Sequence, residues 1–292
     1  MYLNEKIKKN LLFLKPFLKE QKCNYLGLKS YFDKSLTYNK DIHWLFILTF
    51  PNGGSTALSK LLMTASSSKQ LTVHSEGQWL VPSLSADGKR WDGNHTVWKR
   101  KLRACWLDKI GDTNSKQTLV IEKSPTNICR YNYLISTFSG MKYSLITFTR
   151  DPYAVCASWH NRYGAEKIIK TWFPEESSRI TSDKEYFSFL SDIWLERAKM
   201  IIDAQRESVF NFSYESFTQD VKGKMSQLRS LIPELHDMSD DAVLNVKDYA
   251  PQPIINMNER QIKTLTNEQI KIISSSISKS PETLTKLGYI IR

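Results

Sequence analysis

The stretch FPNGGSTALSKLL, Phe50 to Leu62, sets two adjacent glycines and two hydroxyls between an apolar run and a helix-like segment. Gly53 and Gly54 let the backbone turn tightly and approach a ligand with no Cβ in the way. The residues Ser55-Thr-Ala-Leu-Ser-Lys-Leu-Leu62 then read as a helix opening. Unpaired N–H groups and the positive end of the helix dipole point at one spot, where Ser55 and Thr56 add hydroxyl donors. The arrangement is an anion cradle, with a plain strand-to-helix turn as the competing reading. A second anion position lies in TRDPYAVCASW, Thr149 to Trp159. Asp151 can cap a helix and Pro152 can occupy its first turn, which leaves Arg150 at a strand end beside a helix N-terminus. Ser158 follows about two turns later. A structural Arg–Asp pair is the competing reading there.

A magnesium-dependent nucleotide triphosphatase is disfavoured. Its loop needs a Gly-Lys pair, so that the lysine reaches the outer phosphates and the next hydroxyl holds the metal. This chain has no such pair in the loop, and Lys60 lies about a turn and a half into the helix. The cradle suits an anion bound without a metal.

The elements that must carry these residues are legible as apolar runs. Trp44 to Phe50 is continuous and apolar, as in a strand buried on both faces, and Pro51 ends it. Leu119 to Ile121, Tyr143 to Phe148 and Ser208 to Phe212 read as further strands, each leading into a helical or loop segment. This alternation predicts an α/β fold with a central, mostly parallel sheet and helices on both faces. Such sheets bind ligands at the carboxyl ends of their strands, where both anion segments fall. Glu185 to Arg206 is the clearest helix, with Tyr186, Leu190, Ile193, Trp194, Met200 and Ile201 near helical spacing. Thr266-Asn-Glu-Gln269 has the form of a capping box and predicts the start of a last helix. Ala86 to Gly111, with Trp91, Trp98 and Trp106, reads as a long loop plus helix or as a segment covering the substrate. No internal repeat is visible, and the serine patches at 66–68 and 274–276 are too short for linkers. A single domain over residues 1–292 is expected, with 1–43 a basic helical extension packed on or flanking it.

At 292 residues and 41% hydrophobic content, the chain can bury a sizeable core. Lysine and arginine outnumber aspartate and glutamate by 41 to 30, a net charge of +11, so the partner or substrate is expected to be anionic. No basic region interleaved with aromatics occurs beyond the lysine-rich N-terminus, and no nucleic-acid partner is expected. Cys23, Cys105, Cys129 and Cys156 form no CxxC pair, which predicts neither a zinc site nor a disulfide framework and fits a reduced, cytoplasmic setting. Lys15 and Lys19 interrupt Leu11 to Leu18, so no signal-peptide core is expected, and no run reaches membrane-spanning length. Ile7 to Leu18 fits a basic amphipathic helix, with a packed or solvated placement preferred over a membrane surface.

Taken in order, these segments resemble the sulfotransferases that use 3′-phosphoadenosine 5′-phosphosulfate (PAPS). Asn52-Gly-Gly-Ser-Thr-Ala-Leu58 is similar to the family's 5′-phosphosulfate loop, nearest the Gly-Gly-Thr form of the heparan sulfate branch. Arg150 and Ser158 have the spacing of its 3′-phosphate site, and Glu122-Lys-Ser-Pro125 resembles the Glu-Lys-Ser/Thr stretch of the heparan branch. Phe212-Ser-Tyr-Glu215 falls where the family has Tyr-Glu-Asp after a strand. The likeness covers roughly residues 45–217, with a looser echo at Leu287-Gly-Tyr289. It implies a P-loop-like sulfotransferase architecture, PAPS as donor and 3′,5′-diphosphoadenosine as product, with no metal. It makes Asn52, Gly53, Gly54, Ser55, Thr56, Ala57, Arg150 and Ser158 the donor-binding set, with Tyr214 near the adenine.

In Val73-His-Ser-Glu-Gly77 the resemblance makes Glu76 the general base, as in the heparan and protein-tyrosine branches, and chemistry agrees. An acceptor hydroxyl or amine must lose a proton as it attacks sulfur, and a placed carboxylate can take it. His74 is the rival base. Lys123 would stabilise charge on the departing phosphate. The chain departs from the family at Asn52, where many members carry Lys or Arg, and the histidine base and Arg-Lys-Gly loop of the phenol and steroid branch have no match. Asp248 to Pro253 is the expected place for a substitute, with Lys247 or Arg260 as the cation. A small metabolite or saccharide is the expected acceptor. The alternatives are a non-catalytic anion-binding protein of the same fold and a phosphoryl-transfer enzyme.

Overall fold

The computed structural model describes residues 2–111, 117–239 and 253–292, with side chains from residue 14 onward. At its centre β1 (Ile42–Thr49) is buried along its whole length. Successive side chains of a strand point to opposite faces, and both faces of β1 are apolar. Trp44, Phe46 and Leu48 pack with Cys23, Leu102, Trp106 and Phe138 on one face. Leu45 and Ile47 pack with Leu58, Leu61, Leu62 and Phe217 on the other.

These contacts set helices on both sides of the sheet. The first face carries α1 (Tyr2–Lys29), α3 (Lys99–Ile110) and α4 (Tyr131–Thr137). The second carries α2 (Ser55–Leu62), α7 (Tyr214–Gln219) and α8 (Val221–Leu231). A third apolar cluster joins α5 (Pro152–Lys167), α6 (Asp183–Ala204), α10 (Asn267–Ile277) and α11 (Pro281–Leu287), with α9 (Asn258–Ile262) packed on α5.

β1 lies between β3 (Thr118–Glu122) and β4 (Lys142–Thr149), and β2 (Ser68–Gln70) and β5 (Phe210–Ser213) form the edges. All four pairings are parallel, in the order β2-β3-β1-β4-β5. The chain leaves β1 towards β2 and β3 on one side, then crosses to β4 and β5 on the other. The winding therefore reverses between β1 and β4, which opens a crevice at their carboxyl ends.

Four of the five strands fall where the apolar runs predict them. β2 does not, because its Ser-Lys-Gln residues form no apolar run, with two part-buried and Gln70 exposed, although they pair with β3. α6 begins earlier than the periodicity predicts, at a capping box in which Ser182 and Glu185 exchange hydrogen bonds. The Thr266–Gln269 box opens α10 as predicted, but α10 is not the last helix, since Pro281 starts α11. The segment 86–111 is indeed a loop leading into a helix, α3, although its Trp91 turns out to line the site described below.

The cysteine expectation is overturned. Cys23 of α1 and Cys105 of α3 are joined as a disulfide across 82 residues of sequence. The two helices pack side by side, a proximity that motif spacing does not reveal. Cys129 and Cys156 are free.

Candidate active site

Asn52, at φ 54°, and Gly54, at φ 95°, turn the chain from β1 into α2. A Cβ on Gly53 would lie 2.6 Å from Thr49 Oγ1, and one on Gly54 would lie 2.3 Å from the Tyr214 ring. Both glycines are thus required by close packing as well as by the turn. In the first turn of α2 the Ala57 N–H donates to Gly54 O at 3.0 Å, and the N–H groups of Ser55 and Thr56 have no acceptor within the helix where the crevice opens.

Lys123, at the end of β3, is 2% exposed. Its Nζ donates to Glu76 Oε1 at 2.8 Å and to Thr56 Oγ1 at 3.3 Å. One ammonium therefore connects the glycine loop, the β3 end and the Glu76 loop. The Glu76 loop is fixed to β3 from both sides of Glu76. The Lys123 backbone N–H donates to Ser75 O at 2.7 Å, and the Gly77 N–H donates to Glu122 Oε2 at 2.7 Å. Glu122 also accepts from the Ser124 N–H at 3.0 Å and from Asn127 Nδ2 at 2.8 Å. Burial pushes its carboxyl up to about 7 despite these donors. The Trp79 indole N–H donates to Glu76 Oε2 at 2.9 Å.

Among the described residues, the non-glycine positions with positive φ are Asn52 and Ser75, one immediately before Gly53 and the other immediately before Glu76. Strained backbone of this kind concentrates at functional sites. His74 is solvent-exposed and is not part of the cavity wall.

Arg150 follows β4 and is 3% exposed. Its guanidinium donates from NH1 to the Asn52 carbonyl at 2.7 Å, from Nε to Asn258 Oδ1 at 2.9 Å and from NH2 to Gln261 Oε1 at 2.5 Å. The Tyr214 ring lies 4.1 Å beneath it. Burial lowers the Arg150 pKa from its ordinary value. Tyr214 is fixed in turn, donating its hydroxyl to Ile255 O at 2.8 Å and accepting from the Met257 N–H at 3.1 Å.

These groups share the wall of one cavity of about 600 Å³. Glu76 and Lys123 belong to that wall together with Asn52, Gly54 to Ala57, Arg150, Ser158 and Tyr214; Gly53 is not part of it. Arg260 and Pro253 also line it, whereas Lys247 and Asp248 to Gln252 lie outside the described residues.

Sequence reasoning missed one side of the cavity. Trp79, Arg90, Tyr163 and Trp172 line it, and the Arg90 guanidinium lies 5.6 Å from the Trp79 ring centroid and 5.5 Å from that of Trp172. Tyr163 and Trp172 meet at 4.6 Å. The tryptophan-rich stretch signalled Trp91 alone. Asn258 and Gln261, which hold Arg150, carried no signal at all.

Comparison with solved structures finds that this parallel sheet, with its glycine loop after the central strand, has the sulfotransferase fold. The sulfotransferase STF9 from Mycobacterium avium matches over 91% of this chain and 82% of its own, with 13% identity and a TM-score of 0.56. A sulfotransferase from Alicyclobacillus acidocaldarius matches at 12% identity over 84% and 96% of the two chains, with a TM-score of 0.48. Retinol dehydratase in complex with retinol and PAP matches at 12% identity over 88% and 85%, with a TM-score of 0.45. No family model matches the sequence, and no curated protein does.

Proposed function

We propose that the chain is a PAPS-dependent sulfotransferase acting on a hydroxyl or amine of a small metabolite or saccharide. The observation that carries this reading is the position of Lys123, whose ammonium bonds both the glycine-loop hydroxyl of Thr56 and the carboxylate of Glu76. The donor's charges match the wall. A 3′-phosphate needs a cation, which Arg150 provides with Ser158 close by, and a 5′-phosphosulfate needs the α2 amides, Ser55 and Thr56.

Bound PAPS supplies an activated sulfuryl group on a phosphate leaving group. The protein residues do the rest. Lys123 stabilises the charge that grows on the departing phosphate. Glu76 takes the acceptor proton, with the Trp79 N–H orienting its second oxygen. Before the donor binds, Glu76 and Lys123 neutralise one another at 2.8 Å. With Lys123 turned towards a donor phosphate, Glu76 Oε1 would be open to the acceptor proton while Trp79 still holds Oε2.

The test has a binding arm and a rate arm. 3′,5′-Diphosphoadenosine should raise the melting temperature without metal, and ATP with magnesium should do so much less. Labelled PAPS should transfer its sulfuryl group to at least one acceptor in a panel of alcohols, amines and saccharides. Glu76→Gln should keep the thermal shift while lowering turnover by about 10²–10⁴. No response to the diphosphonucleotide would overturn the reading.

A further inference from the structure

α1 packs one side on α3 and bares the other. Cys23, Leu26 and Gly27 are buried on the packed side, where a Cβ on Gly27 would meet Trp98 and Lys101 at 2.9–3.0 Å. On the opposite side Leu14, Phe17, Leu18, Tyr25 and Leu28 are 46–63% exposed. At helical pitch these five positions fall within an arc of about 100°. Phe32, 95% exposed, follows the helix end, while Tyr31 stacks on Trp98 on the packed side. An apolar stripe of this length on a protein surface marks an interaction site.

Charge identifies the occupant. Lys15, Lys22 and Lys29 recur every seven residues along one flank of the stripe, and Lys19 stands beside them. Lys22 keeps 63% of its side chain exposed although it pairs with Asp108, and Lys29 keeps 48% although it lies near Asp33. An apolar stripe edged by lysines is the pattern of a helix lying in the plane of a membrane interface, with its cations at lipid phosphates. An antiparallel pairing with a second copy would instead set one lysine flank against the other. We propose that α1 docks the protein on an anionic bilayer, its stripe in the headgroup layer and its other side held by α3. This inference is independent of the reaction assigned to the cavity.

The test uses the full chain and sedimentation with vesicles of phosphatidylcholine alone or with about 30% phosphatidylserine. The wild type should bind the anionic vesicles, and salt should weaken binding. Leu18→Glu with Leu28→Glu should weaken it by about tenfold or more, with the melting temperature unchanged, since both side chains lie in water. Lys15→Glu with Lys29→Glu should weaken binding to anionic vesicles selectively. Equal binding by wild type and the Leu18/Leu28 variant would overturn the proposal, as would failure of the wild type to bind either vesicle. It would also fall if ultracentrifugation showed a wild-type dimer that the leucine variant splits, with neither protein binding vesicles; the stripe would then be a self-interface.

Discussion

Asn52 shows how one backbone angle bears on a chemical departure. Its φ of 54° lies in the left-handed region, which asparagine tolerates better than lysine does. Its carbonyl holds Arg150, so the turn residue braces the Arg150 end of the cavity rather than the Lys123 end. If Lys123 alone meets the leaving-group charge, Lys123→Ala should reduce turnover by about 10²–10³ or more. Adding Asn52→Lys should recover part of that loss, less a backbone cost of about 1 kcal/mol. Initial rates at saturating donor measure both. For Arg150→Ala, calorimetry should show a loss of about tenfold to a hundredfold for 3′,5′-diphosphoadenosine. A ligand lacking the 3′-phosphate should lose much less.

Glu122 gives a pH signature. Its folded pKa is raised from 4.5 to about 7, so the folded form binds this proton more tightly than the unfolded chain. Its contribution to stability is therefore full below about pH 4.5 and declines as the pH rises towards 7, by no more than about 1.4 kcal/mol per pH unit. Glu122→Gln should remove that decline. Urea unfolding of both proteins at several pH values should show the variant gaining relative stability up to about pH 7 and no further.

At the scale of elements, β1, β3 and β4 were legible because strands covered on both faces are written as continuous apolar runs. β2 carries no such run, since its place is set by its neighbour's backbone. The glycine loop and Arg150 were legible for a different reason: each is a local strand-to-helix junction whose residue types match its geometry. The aromatic wall was not, because Trp79 comes from a distant loop and Tyr163 and Trp172 meet only through a backbone break between them. Gly164, at φ 69° and ψ 161°, breaks the helical path of α5 and leads into the turn that carries Trp172 back to Tyr163. A left-handed glycine in mid-helix is visible only in the backbone. The α6 box is a testable element in its own right. Ser182→Ala removes an N-cap acceptor and should cost about 1 kcal/mol, read as a lower denaturation midpoint.

For the molecule as a whole, α1 and α3 are tied by the Cys23–Cys105 link, and the far end of the chain is tied to the sheet. The Tyr289 hydroxyl lies 3.1 Å from Thr149 Oγ1 at the end of β4 and donates to Glu215 Oε2 at 3.1 Å. Neither tie follows from local pattern, and the first removes the cysteine argument for a reducing compartment. A cross-link closing so long a loop typically stabilises a fold by about 2–4 kcal/mol. Melting with and without reductant should show the difference, and Cys23→Ser should show the lower value in both conditions.

Trp98, 40% exposed, lies outside the cavity wall and Trp44, Trp106, Trp159, Trp172 and Trp194 are buried, whereas Trp79 is 44% exposed. Its indole touches Glu76 and stands beside Arg90 in the cavity wall. The site therefore contains its own optical reporter. Trp98 adds a constant exposed background, so the Trp79 contribution is the difference between the wild type and Trp79→Phe; that component should shift to the blue when a ligand covers Trp79 and stay unchanged for a ligand seated only at Arg150. Acceptors can thus be screened by unlabelled fluorescence titration before any turnover is detected, with Trp79→Phe as the silent control.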